Sequence, residues 1–200
     1  MSLQLYRHLV DITSITPSPA ALRALSHPVR LRMLGLLRIE GPATATSLAT
    51  RLGLNTGATS YHLRQLAQHG FIVDDAERGN ARDRWWRAAH QSTTTGPEEP
   101  GDDEAGEVLD AYLQAVAVVM TEQLQRAMEE RALLPERWRN ASEFSDYVLR
   151  LTPAKARQVR DAIHQAIRAT EEDPESEESE QFVVQFTAFP LPGTASGDPA

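Results

Sequence analysis

The sequence contains no cysteine among its 200 residues. This excludes a disulfide framework, a thiolate nucleophile and a thiolate metal site. It also lacks a run of about 18 apolar residues that could span a membrane. The first residues, MSLQLYRHLVDITSITP, do not show the charged-then-apolar pattern of a secretory signal. We therefore expect a protein of the reducing cytoplasm that has no membrane partner.

Sequence motifs that carry catalysis are missing as well. There is no glycine-rich phosphate loop, no His-Glu-x-x-His and no Gly-x-Ser-x-Gly. Ser60, Tyr61 and His62 are adjacent, but successive side chains on a helix diverge by roughly 100°, so they cannot form a triad. The six histidines form no close His/Asp/Glu cluster of the metal-ligand type. The sequence predicts no enzyme, no cofactor and no metal.

The charge of the chain is unevenly distributed. Its composition, 41% hydrophobic and 24% charged, is ordinary for a globular protein. The net charge of −8 combines +5 over residues 1–92 with −13 over residues 93–200. Such asymmetry suggests a module that faces a polyanion, joined to an acidic remainder. The alternative is that the acidic half is simply a soluble surface.

Composition also predicts the boundaries of the domains. The stretch QSTTTGPEEPGDDEAGE (91–107) has threonine, glycine, proline and acid but no apolar pattern, which is typical of a linker. We expect an N-terminal domain over residues 1–92, a linker over 93–103 and an α/β region over 104–190. The tail 191–200, which includes PGTASGDPA, is expected to be disordered.

Three helices are predicted in the N-terminal domain after residue 26. The first is capped by Ser26 or His27, and the second by Thr44 or Thr46. The third is capped by Asn55 or Thr56 and runs to residue 69, where a glycine supplies the left-handed end.

The third helix has two different faces. Leu63 and Leu66 lie on one face, and small or polar residues lie on the other. A short helix that follows another helix and a tight turn is the helix-turn-helix arrangement, whose second helix enters the major groove of DNA. The alternative is a plain three-helix core with a polar outer face. The outward-facing residues are Thr56, Gly57, Ser60, Tyr61 and Arg64.

A basic hairpin is predicted directly after this helix. FIVDDAE and RWWRAA have strand character, and Gly79–Asn80 forms the turn between them. Phe71 and Val73 are expected on one side. Such a hairpin forms a wing whose arginines can straddle the DNA backbone or enter the minor groove. The alternative is a solvated hairpin with ordinary charges. The arginines at the loop and its exit are Arg78, Arg82, Arg84 and Arg87.

The segment Ala21–Ala88 resembles the winged helix-turn-helix of the arsenic-repressor-like (ArsR-type) bacterial regulators. LSHPVRLRMLGLL resembles that family's second-helix signature, and TSYHLRQLAQHGFI resembles its recognition helix. The resemblance implies that the outward-facing residues of the third helix meet double-stranded DNA and that the hairpin arginines hold phosphates. Metal-sensing members carry a cysteine pair before the recognition helix, where this chain has ATATSLATRL. The resemblance is therefore to members that sense no metal.

A long helix is predicted in the C-terminal region, from about Glu104 to Leu133. The apolar residues of this helix form a long stripe that needs a packing partner. The resemblance implies that the partner is the same helix of a second subunit. The alternative is an intramolecular core helix. The apolar stripe consists of Leu109, Leu113, Val116, Met120, Leu124 and Met128.

A strand–helix–strand unit is predicted to follow the long helix. Tyr147, Leu149 and Leu151 alternate as in a strand, Thr152 caps a helix, and QFVVQFTAFPL forms the second strand. This unit loosely resembles C-terminal extensions of some actinobacterial regulators. It can serve as a dimer platform or enclose a pocket for an unknown small-molecule effector.

These observations predict an α+β protein: a winged helix-turn-helix domain, a long dimerisation helix and a small strand–helix–strand unit. The expected function is a homodimeric, nucleoid-associated transcriptional regulator that binds operator DNA, most simply a repressor. The alternative is a winged-helix module that binds another protein and no DNA.

Overall fold

The computed structural model describes residues 13–78, 84–95, 103–174 and 176–194. The chain divides into two compact units, one formed by Ile12–Ser142 and one that includes the described residues from Glu143 onward. The helices are α1 (Pro19–Leu25), α2 (Pro28–Ile39), α3 (Ala45–Leu52), α4 (Thr56–Gln68), α5 (Asp103–Glu130), α6 (Glu136–Ala141) and α7 (Pro153–Arg168). The strands are β1 (Ser14–Ile15), β2 (Ala43–Thr44), β3 (Ile72–Asp74), β4 (Trp85–Ala88) and β5 (Ser92–Thr93). The predicted α+β class is confirmed.

The core of the first unit is built by α1 to α5 and the strand pair β3–β4. Its fully buried side chains include Leu25, Met33, Leu34, Leu63 and Leu66. They recur at helical spacing on α2 and α4, so each helix presents one apolar side to the others. Burying a Leu or Met side chain contributes about 1.5–3 kcal/mol, and this core therefore fixes the orientation of α4.

The helix ends follow the caps that the sequence predicts. His27 caps α2 through Nδ1, which accepts from the Val29 N–H at 3.1 Å. Thr44 caps α3 in a reciprocal pair with Ser47. Helix α3 ends at Gly53, whose φ of 65° is a left-handed conformation that favours glycine. The tight turn between α3 and α4 is thus specified by local chemistry.

The three-stranded sheet has the antiparallel order β2–β4–β3. Phe71 and Ile72 are buried beneath it, whereas Val73 is exposed. The expectation that Phe71 and Val73 share a side is wrong, because Phe71 precedes β3 and the alternation begins at Ile72. Trp86 is buried and Trp85 is only partly buried. The predicted turn Gly79–Asn80 lies outside the described residues.

A second, two-stranded sheet was not predicted. Strand β1 pairs in parallel with β5, which follows the wing strand β4. Arg38 of α2 secures this region, because its guanidinium donates to the His90 carbonyl and to Thr93 Oγ1, both at 2.9 Å. Burial lowers the pKa of Arg38, and the hydroxyl of Tyr112 on α5 opposes that shift. The segment after the wing is therefore fastened to the core.

The predicted long helix is present as α5, followed by a 3-10 turn, Arg131–Leu133. It packs on α1 and α2. Its buried side chains are Val108, Tyr112 and Ala115, one position away from much of the predicted stripe. A bidentate pair joins Arg32 of α2 to Glu122, with Nε and Oε2 2.7 Å apart. That hydrogen-bonded pair lowers the pKa of Glu122.

The second unit contains α7, which Thr152 caps by accepting from the Lys155 N–H at 3.3 Å, as predicted. The flanking segments predicted as strands, Tyr147–Leu151 and Gln181–Leu191, carry no strand within the described residues. The predicted strand–helix–strand unit is corrected to a helix between two irregular segments. The physical reason is that an alternating pattern becomes a strand only when a neighbouring backbone pairs with it.

Candidate nucleic-acid interface

An open groove of about 270 Å³ lies where α3, α4 and β4 meet. Ser60 and Arg64 line it from α4, Arg84 and Trp86 from the wing side, and the remaining lining residues belong to β2 and α3. Two arginines and three hydroxyl-bearing residues therefore line one exposed concavity. Guanidinium groups and hydroxyls are the donors that proteins direct at phosphate oxygens and base edges. The other lining residues are Thr44, Ala45 and Thr46.

The start of α4 is organised by its cap. Asn55 Oδ1 accepts from the Ala58 N–H at 2.8 Å, which satisfies one of the first free amides of the helix. A Cβ added at Gly57 would lie 3.3 Å from that Oδ1. Glycine thus leaves room for the cap and keeps the backbone of this exposed turn accessible. Thr56 and Gly57 are both exposed, as a surface-facing helix start requires.

Arg84 is held by two neighbours. Its Nε donates to Asp74 Oδ2 at 2.6 Å, and its guanidinium carbon lies 4.1 Å from the centre of the Trp86 ring. Such stacking orients a planar cation without neutralising it. The wing thus presents Arg84 in a fixed position, although Asp74 offsets part of its charge.

Tyr61 lies on α4 with 51% of its surface exposed, which is consistent with an outward role. Its neighbour His62 is partly buried and contacts His27, with ring centres 4.7 Å apart and ring planes tilted by 47°. Burial, followed by the charges of His27 and Arg30, lowers the pKa of His62. Burial and then Arg30 likewise lower the pKa of His27. The two imidazoles therefore meet where the start of α2 approaches α4.

Two other predicted arginines, Arg78 and Arg87, are not among the residues that line the groove. Arg78 follows β3, and its Nε lies 3.8 Å from Asp75 Oδ2. Arg87 lies in β4 and is exposed. Arg82 lies outside the described residues. The groove thus brings together Ser60, Arg64 and Arg84 from the predicted set, with Tyr61 elsewhere on the same helix.

Four residues at or beside the groove were not assigned to it from the sequence. They are Trp86 as a platform for Arg84, Asp74 as its ion partner, and Thr44 with Thr46 along the edge. The contact of Trp86 with Arg84 could have been predicted, because residues i and i+2 of a strand lie on the same face. The contact of Asp74 with Arg84 depends on the register of β3 and β4, which the sequence does not give.

Known proteins are similar to parts of this chain. A family model described as a helix-turn-helix domain matches residues 25–74, from the end of α1 through β3. Reduced HlyU from Vibrio cholerae N16961 is similar over 44% of this chain and 78% of its own, with 20% identity and a TM-score of 0.31. A disulfide-formed AbfR is similar over 55% and 71% respectively, with 15% identity and a TM-score of 0.26. No curated protein matches.

The helix-turn-helix match and the winged arrangement support DNA-binding transcription regulation as the general class, and they do not point to an enzyme. Within the described residues, no helix is long and apolar enough to cross a membrane. No group of three or more potential ligands that could hold a metal ion occurs in that part of the chain.

Proposed function

We propose that this protein is a sequence-specific transcriptional regulator that binds operator DNA as a homodimer and acts as a repressor of the ArsR type. The observation that carries the proposal is the groove in which Ser60 and Arg64 of α4 meet Arg84 of the wing. A recognition helix reads base edges in the major groove while a wing holds the neighbouring backbone. Repression then needs no further activity, because occupancy of a promoter is sufficient.

In this proposal the residues of α4 divide into two roles. Thr56 and Gly57, at the helix start, allow close approach and phosphate contact through exposed backbone amides. Ser60, Tyr61 and Arg64 face base edges, where an arginine bonded to guanine contributes about 1–3 kcal/mol of discrimination. The wing residues Arg78, Arg82 and Arg84 contact phosphates without regard to sequence.

Homodimerisation is supported by the surface of α5. Although its first half packs on α1 and α2, Leu113, Leu124 and Met128 remain exposed along the predicted stripe. A stripe of large apolar side chains on a long helix favours a helical partner. Two copies would also supply two DNA-binding helices for operator half-sites about one DNA turn apart.

The test is an electrophoretic shift measured on sites selected from a random DNA library. Affinity should fall steeply with salt, with a slope of about −0.9 per phosphate neutralised. Arg82→Ala with Arg84→Ala should weaken binding to all sequences alike and make the slope shallower by about 2 per subunit. Ser60→Ala or Tyr61→Ala should instead reduce the preference for the selected site.

Arg131→Ala is the matched control, because Arg131 is exposed and lies outside the groove. It should leave both affinity and slope near the wild-type values. An affinity for DNA that does not change with salt concentration would contradict DNA recognition. So would an Arg82→Ala/Arg84→Ala variant that binds like wild type, and either result would favour a winged-helix module that binds protein partners.

A further inference from the structure

The wing carries a carboxylate directly beside the arginine that lines the groove. Asp74 is the last residue of β3, and its Oδ2 accepts from Arg84 Nε at 2.6 Å. Both side chains are partly exposed, 42% for Asp74 and 60% for Arg84. An ion pair with this much exposure adds little to the stability of a fold. Folding stability alone therefore does not account for an acid at this position.

The register of the wing strands brings three side chains together. In the antiparallel pair β3–β4, Asp74 lies directly opposite Trp86. Residues that are opposite each other in such a pair place their side chains on the same face of the sheet. Arg84 precedes Trp86 by two positions, and its guanidinium carbon lies over the Trp86 ring, 4.1 Å from the ring centre. The acid, the cation and the ring are thus grouped at one end of a single face.

The two contacts restrain the guanidinium of Arg84 in different ways. Trp86 is a buried residue of the core, so its ring is a rigid support for one side of the cation. The hydrogen bond from Nε to Asp74 prevents the cation from turning over that ring. The two terminal amino groups of Arg84 take no part in this bond. A phosphate can accept two parallel hydrogen bonds from that end of an arginine.

Asp74 has two opposite effects on the affinity for DNA. Its negative charge repels phosphates and offsets part of the attraction that Arg64 and Arg84 provide along the groove. Its hydrogen bond, in contrast, orders a long side chain before DNA arrives, which reduces the entropy that binding must remove. Charge alone predicts that removing the acid strengthens binding, whereas positioning predicts that it weakens binding. One substitution therefore distinguishes the two effects by sign.

We propose that Asp74 is a positioning residue for DNA binding, which holds Arg84 over Trp86 so that its two terminal amino groups contact a backbone phosphate. The inference rests on the proposed function and adds to it a residue that acts through Arg84 and itself touches no phosphate. Phosphate contacts fix the register of a protein on the duplex. A restrained Arg84 therefore also fixes where α4 meets the DNA.

The test compares Asp74→Asn with Glu77→Gln in the full chain, by electrophoretic shift on the selected DNA site. Both substitutions remove one negative charge from the wing, and Glu77 is an exposed acid that does not line the groove. Glu77→Gln should strengthen binding slightly, because it removes only a repulsion. Asp74→Asn should weaken binding about two- to tenfold per subunit, which corresponds to the cost of ordering one long side chain on binding.

The same two substitutions in an Arg84→Ala background separate positioning from damage to the fold. Without Arg84 there is no side chain for Asp74 to orient, and only its charge remains to act on DNA. Asp74→Asn should then strengthen binding as much as Glu77→Gln does. If Asp74→Asn weakened binding by distorting the strand pair β3–β4, the loss would persist without Arg84, and that result would overturn the inference.

The outcomes separate this inference from the proposed function. If the wild-type chain binds the selected site and Asp74→Asn strengthens binding like Glu77→Gln, Asp74 acts through its charge only. The inference then fails while the proposed function stands. If the wild-type chain binds no DNA, the inference and the proposed function fail together. A loss of affinity in Asp74→Asn that disappears in the Arg84→Ala background supports the inference.

Discussion

Helices α4 and α7 differ in what covers them, although both are capped by a side-chain oxygen and both have an apolar face. Helix α4 buries Thr59, Leu63 and Leu66, whereas α7 buries no residue even though its apolar face is more sharply segregated. The periodicity of apolar residues therefore identifies a helix and the face of that helix that is apolar enough to pack against another surface. The periodicity does not show whether the surface that packs on this face belongs to the same chain. The answer depends on which elements the rest of the fold places beside the helix.

The largest expected difference between the two units is the cost of removing a phenylalanine. Phe71 is 1% exposed, so Phe71→Ala should lower the free energy of unfolding by about 3–5 kcal/mol through lost burial and a cavity. Phe189→Ala should cost less than about 0.5 kcal/mol in dilute, monomeric protein. Urea unfolding followed by circular dichroism measures both. Equal costs would show that the second unit is packed within one chain.

The helix caps provide a second, smaller contrast. Asn55→Ala should lower the global free energy of unfolding by about 1 kcal/mol, because α4 is part of the core. Thr152→Ala removes the same kind of cap from α7. Its effect should appear as faster amide exchange in the first turn of α7, with the unfolding of the first unit unchanged. A global effect of Thr152→Ala would contradict the contrast.

The histidine pair predicts a pH dependence confined to the first unit. Burial and Arg30 lower the pKa of His27, Arg32 adds to this, and burial with His27 and Arg30 lowers the pKa of His62. Because both folded-state pKa values lie below the unfolded value of about 6.5, stability is complete above pH 6.5 and falls as pH decreases through the lowered values.

Thermal unfolding between pH 7.5 and pH 5 checks this expectation. His27→Asn keeps an acceptor for the α2 cap, and with His62→Gln it should flatten the decline below pH 6.5. A decline of the same steepness in the double variant would assign the acid sensitivity to other groups.

The smallest expected effect is at the ion pair between α2 and α5. Arg32 and Glu122 are both about one-third exposed, so solvent weakens their attraction. A double-mutant cycle with Arg32→Gln and Glu122→Gln should give a coupling of about 0.2–1 kcal/mol that decreases at high salt. A coupling well above this range would mean that the pair alone holds the second half of α5.

Local signals in the sequence predicted much of the first unit. The residues that cap α2, α3 and α4 and the glycine that follows α4 act through contacts within a few residues, so their roles can be inferred without a fold. Leu63 and Leu66 were identified by helical period and are buried. The strand pair β3–β4 was recognised from its composition, although Val73 was assigned to the wrong side.

Long-range pairings could not be predicted in the same way. The contact of Arg84 with Asp74 depends on strand register, and the parallel pair β1–β5 joins segments 78 residues apart. The buried side of α5 is Val108, Tyr112 and Ala115, because the positions of α1 and α2 select it rather than the regular stripe. In the second unit, the strands predicted on either side of α7 are wrong, because an alternating pattern does not supply the neighbouring backbone that a strand needs.

Arg38 has a consequence for how distant events could reach a DNA duplex. This cation joins α2 to the stretch just beyond the wing, and Tyr112 of α5 is close enough to influence its charge equilibrium. Any shift of α5 along α2 would disturb the hydrogen bonds of Arg38 and, through them, the positions of β4 and Arg84. In the proposed homodimer, assembly along the long helix and contact with a phosphate backbone would then be thermodynamically linked.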